Sequence, residues 1–392
     1  MCNPLGCPQG LPLLHRPSSP TVGATAEHTA RQVRNQDMGE IIGLGCTHYP
    51  GLTLPDERLP AGFHHLLTAP NMPAHYKDRA NWPTELQAEL GNDAGVSSAR
   101  RYGARMAEDF RAIRKELEDF NPDLVLIWGD DQYENFREDI IPAFCVMGLD
   151  DDFELKPWHT GNGAKTNRWN EPAEWAMKLH GARNAAKHLA SGLIERGVDM
   201  AYAYKTLHMD GLAHAFTNTL LYLDWDRRGF PWPVIPFAIN CYGRNLIHAK
   251  GGMAALFLPP RDDRELPDPP APQPWRCMEV GRAVAEIFAA SPWRVALIAS
   301  SSWSHCFLSP TNGYLWPDHA ADRRMFDALS SADYEFWRKR PLQQMEQAGQ
   351  HEMLNWMALM GAMETLDRKP VVHDYVETHV FMSEKCFVSY PA

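Results

Sequence analysis

Leu124 to Trp128 form an unbroken apolar run closed by Gly129, the pattern of a strand covered on both faces. Further strands are expected within "EIIGLGCTHYPG" (40–51), "DMAYAYKTL" (199–207), "PVIPFAIN" (233–240) and "RVALIASSS" (294–302). Between them, amphipathic spacing predicts helices over 98–120, 171–197 (with Gly197 as C-cap) and 277–291. Late helices are expected within 334–363, and the proline-rich stretch 259–274 reads as an extended surface loop. Strands alternating with helices predict an α/β fold, with a mainly parallel central sheet and helices on both faces. Residues 1–37, rich in Pro, Ser, Thr and Gly, read as a disordered extension, and Met38 could be the biological start. Residues 38–392 are expected to form a single catalytic domain.

Composition narrows the class. The net charge of −11, with 22% charged residues, argues against a nucleic-acid-binding or anionic-membrane surface. No apolar run reaches a membrane span, and the Pro- and Gly-broken opening makes a poor signal peptide. Eight scattered cysteines without a CxxC pair suit reduced thiols in a cytoplasmic protein.

Candidate chemistry gathers at strand ends. "GLGCTHYPG" continues into neither GxGxxG nor a Walker loop, and no GxSxG elbow occurs. His48, His208, His214 and His305 each sit at or just past a predicted strand, as does the loop Asp130-Asp131-Gln132. In open α/β sheets ligands bind outside the carboxyl ends of strands, so a shared site is expected there. The acidic loop could instead cap a following helix, since Asp is a common N-cap.

The ordered motifs "CTHYPG", "LVLIWGDDQYENFREDIIPAF", "DGLAHAFTNTLLYL", "VIPFAIN", "SSSWSHCF" and "GQHEMLNWMALMGAM" resemble the catalytic subunit of class III extradiol dioxygenases. Protocatechuate 4,5-dioxygenase and gallate dioxygenase belong to that group. The likeness runs from about residue 40 to "VFMSEKCFVSYP" at the C-terminus. It implies an α/β fold with one mononuclear Fe(II), or another divalent ion, held by two histidines and a glutamate. His48 matches the first ligand and Glu352 the glutamate. His214 matches the histidine that moves protons, and His305 the histidine of a Ser-His turn beside the site. The second histidine ligand falls on Gln132, where the family's Asn-Asp-His has become Asp130-Asp131-Gln132. Gln132 could coordinate weakly, Asp130 or Asp131 could replace it, or the metal could be lost.

The expected function is therefore cleavage of the ring of a catechol-like aromatic by dioxygen, in aromatic catabolism. The alternative is a relative with an altered metal site, doing non-oxidative lyase or hydrolase chemistry or binding ligand as an inactive subunit. A homo-oligomer or a small partner subunit is compatible with either. His64, His65, His75 and Trp82 could form a lid or stand in for such a subunit. Trp158, His159 and Trp169 could wall the pocket, with Lys165 and Arg168 meeting a substrate carboxylate.

Overall fold

Residues 39–160, 163–252, 254–258 and 266–392 are described by a computed structural model. The tail 1–37 and Met38 lie outside them, as does the 259–265 part of the proline-rich loop. Among the described residues one eight-stranded sheet dominates. Its strands are β1 (Ile41–Cys46), β2 (Leu124–Asp130), β3 (Phe144–Met147), β4 (Ala201–Ala203), β5 (Val234–Ile239), β6 (Val295–Ser300), β7 (Val371–Val376) and β8 (Lys385–Tyr390). Their spatial order is β7-β8-β1-β6-β2-β5-β3-β4. The central β1, β6, β2 and β5 run parallel, in registers such as Cys46↔Ser300, Ala299↔Trp128 and Asp130↔Ile239. Their carboxyl ends therefore share one edge of the sheet.

The twofold strand period divides the core. Leu124, Leu126 and Trp128 of β2 join one apolar cluster with helices α2 (Arg183–Glu195), α4 (Pro274–Ala289) and α5 (Leu354–Thr365). Val125 and Ile127 face the other way, into a cluster with α1 (Val96–Phe120) and α3 (His214–Leu223). Helices thus cover both faces of a mostly parallel sheet, as the sequence pattern predicts. Each fully buried Leu, Ile or Phe in these layers contributes ~1.5–3 kcal/mol.

Two expectations change. The helix expected over 171–197 begins only at Arg183; before it, Met177–Leu179 pairs antiparallel with Phe153–Leu155. Gly181 holds that extended run, because a Cβ there would lie 2.3 Å from the Asp150 carbonyl oxygen. The strand expected over 199–207 shrinks to Ala201–Ala203 at the sheet edge. The sheet also gains antiparallel members: β3 against β5, and the β7–β8 hairpin against β1. The third apolar cluster involves the segment 60–97, where Phe63, Leu66, Trp82 and Leu86 pack with Cys306 and Met382. There His64 bonds the Ala94 carbonyl and His65 stacks on Phe257.

Helices α4 and α5 touch backbone to backbone. A Cβ on Gly281 would lie 1.8 Å from the Ala358 carbonyl oxygen, and one on Gly361 1.9 Å from that of Met278. Gly281→Ala should therefore destabilise the protein by ~2–3 kcal/mol in urea unfolding, as overpacking of a rigid contact does. Helix propensity alone would favour alanine by ~1 kcal/mol, so an unchanged or raised stability would refute the contact.

Candidate metal and proton-transfer site

Four parallel strand ends and one helix start assemble the site. His48 lies two residues past β1, Asp130 ends β2, Tyr242 follows β5, and Ser300 ends β6. Glu352 sits in a 3-10 turn just before α5, with its backbone carbonyl accepting from the Ser301 hydroxyl at 3.0 Å. Asn355, the second residue of α5, donates to Asp130 and to the Ser300 carbonyl.

The His48 tautomer follows from its neighbours. Its Nδ1 lies 3.0 Å from the Ser300 carbonyl oxygen, which can only accept, so the proton sits on Nδ1. Nε2 then presents a lone pair, 3.3 Å from Glu352 Oε2 and 3.6 Å from Asp130 Oδ1. Glu352 Oε2 is buried without a hydrogen-bond partner. Three potential acceptors facing one point form a donor set that suits a cation. His48, Asp130 and His214 also offer ligand atoms that all lie within 4.8 Å of one another.

Gln132 enters the same cluster through its amide nitrogen. That nitrogen donates to Asp130 Oδ2 at 3.1 Å and Glu352 Oε1 at 3.0 Å, and meets the Tyr242 hydroxyl at 2.6 Å. Two carboxylate partners orient the amide, since its oxygen would face acceptors there. Tyr242 also donates to Glu352 Oε1 at 2.6 Å. Asp131 points elsewhere: its carboxylate accepts from the backbone N–H groups of Glu134, Asn135 and Phe136. Residues 132–135 form bends rather than a helix, so Asp131 ties down a loop.

His214 opens α3 and is fixed by Glu134. The Glu134 carboxylate accepts from the His214 backbone N–H and from ring Nδ1, both at 2.9 Å. The ring stands edge-on to His48 with centroids 5.2 Å apart. Burial alone would lower the His214 pKa; the charge and hydrogen bond of Glu134, aided by Asp130 and Glu352, outweigh it and raise it to about 9. Burial and the Glu352 charge raise Asp130 to about 7. Burial likewise opposes ionisation of Glu352, but His305, His48 and Tyr242 hold it well below the usual carboxylate range. His305 lies with Nε2 3.4 Å from Glu352 Oε1, and burial lowers its pKa.

The structure thus brings together His48, Gln132, Glu352, His214 and His305. It leaves out His208, which pairs with Asp139 at 2.9 Å. A cavity of about 310 Å³ borders the cluster through His214, Glu134 and Asn218, and is also lined by Trp158, His159 and Lys165. Trp169 packs behind Trp158, while Arg168 turns to Asp56 instead. Tyr242, Asn355 and the Glu134–His214 pairing escaped sequence reasoning. The position of Tyr242 just past a strand end was a usable signal; the other two needed tertiary contacts.

Residues 269–387 match the family model described as the catalytic LigB subunit of aromatic ring-opening dioxygenase. The chain is also similar to proteins named 2,3-dihydroxyphenylpropionate/2,3-dihydroxicinnamic acid 1,2-dioxygenase. With that of Photorhabdus laumondii it shares 27% identity over 209 residues, covering 53% of this chain and 51% of the relative. With that of Comamonas testosteroni the identity is 25% over 238 residues, covering 61% and 59%. With that of Rhodococcus sp it is 26% over 305 residues, covering 70% and 87%. The chain thus spans about half the length of the first of these relatives.

Proposed function

From the premise that residues 269–387 carry a LigB-type catalytic segment, we propose that this protein is an Fe(II)-dependent dioxygenase opening the ring of a catechol-like aromatic. The observation that supports it most is the set of facing acceptors on His48, Glu352 and Asp130, beside a proton-holding His214 and a cavity. His48 and Glu352 would hold the iron. Asp130 suits the third place, because Gln132 would have to give up two hydrogen bonds to carboxylates to present its oxygen. When bound, the ion would supply redox chemistry toward dioxygen and Lewis acidity toward the catechol oxygens.

The side chains account for the rest. Glu134 keeps a proton on Nδ1, and with the pKa raised to about 9 the resting His214 ring carries a second on Nε2, the atom that would give a proton to the reacting substrate and take one back. Tyr242 and Gln132 fix Glu352 through Oε1 and leave Oε2 free. Trp158 gives the cavity an aromatic wall, and Lys165 offers a cation suited to a substrate carboxylate.

Anaerobically purified protein loaded with Fe(II) should consume dioxygen in step with loss of catechol or 2,3-dihydroxyphenylpropionate. No uptake with either diol overturns the reading. The ligand assignment is tested separately by iron affinity: Asp130→Asn should weaken it by at least about tenfold, and Gln132→Ala by less. The reverse order gives the third place to Gln132, and Gln132→His should then tighten binding.

A further inference from the structure

Away from this cluster, the start of the helix His319–Ser330 meets the 377–384 loop of the β7–β8 hairpin and Glu89, from the helix Thr84–Leu90. His319 Nδ1 bonds the Glu384 carboxylate. His379 Nδ1 lies 3.2 Å from Glu89 Oε1, and Glu89 also accepts from the backbone N–H groups of His379 and Val380. Glu89 accepts, so His379 carries its hydrogen on Nδ1 and turns an Nε2 lone pair outward; His319 does the same when Glu384 is ionised. Those two Nε2 atoms face each other at 3.1 Å, with ring centroids 4.3 Å apart. Two lone pairs at that distance call for a positive charge between them, either a proton shared by the rings or a metal ion against both. Nitrogen ligands at about 2.0–2.1 Å on a tetrahedral zinc ion are separated by about 3.3 Å.

Two further observations point the same way. Ligand atoms of His319, Glu377 and Glu384 all lie within 4.8 Å of one another. Glu384 is wholly buried, and its Oε2 has no hydrogen-bond partner.

We propose that His319, His379 and Glu377 bind a divalent cation of the zinc class. Glu384 and Glu89 then stand behind the two rings, the arrangement that orients ligand histidines. Imidazole nitrogens select zinc-like ions over Mg²⁺ and Ca²⁺, which take oxygen ligands. Glu377 is half exposed, with Oε2 held by Arg323 at 2.6 Å, and gives the ion its route from solvent. The ion would join the hairpin to two helices that share no strand with it.

Chelator-stripped protein titrated with Zn(II) alone against a chromophoric competitor tests this. A Glu352→Ala background removes a ligand of the first cluster. In that background one tight equivalent should remain. Adding His379→Ala should abolish it, and adding Glu377→Gln should weaken it by at least about tenfold. Zinc should also raise the Tm of Glu352→Ala but not of Glu352→Ala/His379→Ala. Glu377→Gln alters a half-exposed side chain, so its result does not depend on refolding the core. Equal zinc affinity with and without Glu377→Gln and His379→Ala, or no tight equivalent at all, overturns the site and leaves the two rings sharing a proton.

Discussion

His214→Phe should retain the metal content of the protein and lower its turnover by at least about a hundredfold, the usual scale of a positioned acid–base group. Phenylalanine keeps a planar ring at the start of α3, and with it the edge-on contact with His48 at 5.2 Å between centroids. It removes both ring nitrogens, so Glu134 keeps only the backbone N–H at 2.9 Å. Glu134 is partly exposed, and water can take up the freed oxygen; the variant should fold. Metal analysis of the anaerobic protein alongside single-turnover kinetics checks this. A variant with near-normal turnover would remove His214 from the chemistry, and one that lost its metal would make His214 a ligand.

An equally large effect is expected on binding. His48→Ala and Glu352→Ala should each weaken iron binding by more than about a hundredfold, since even the outer partners of a ligand are worth 10–100-fold. Activity should fall with occupancy. Neither change should unfold the protein: His48 keeps its backbone carbonyl bonded to Asn218, and Glu352 keeps its own bonded to Ser301. Removing the Glu352 carboxylate also ends its repulsion with Asp130, so Asp130 should become easier to ionise. Circular dichroism with equilibrium dialysis of iron separates folding from binding. Full occupancy in either variant would place the ion elsewhere.

Much of this was legible in the sequence because the sheet centre is buried on both faces. The runs at 124–128, 234–239 and 295–300 can be little else than covered strands, and their order brings His48, Asp130 and His305 to one edge. Less legible was what each acid does there. Asp130 and Asp131 are adjacent, yet the strand pleat turns one to the cluster while the other binds backbone amides. Composition at that spot cannot separate them; knowing where β2 ends can. The 171–182 segment misled because its Ala, Glu, Met, Lys and Leu all favour helix, whereas β-pairing with Phe153–Leu155 and the tight approach at Gly181 govern it. Arg168 looked like a substrate cation in the same way, but Asp56 lies nearer and takes it.

The facing acceptors of His48, Asp130 and Glu352 come from β1, β2 and the start of α5, elements that meet only when the central sheet is fully formed. An unfolded chain therefore offers no equivalent place for an ion, and occupancy adds to folding stability by mass action: roughly 4 kcal/mol when the free ion stands a thousandfold above its dissociation constant. Heat resistance would then track ion supply. The same polypeptide would be a more robust molecule under metal-replete conditions and a softer, more protease-sensitive one when the metal is scarce.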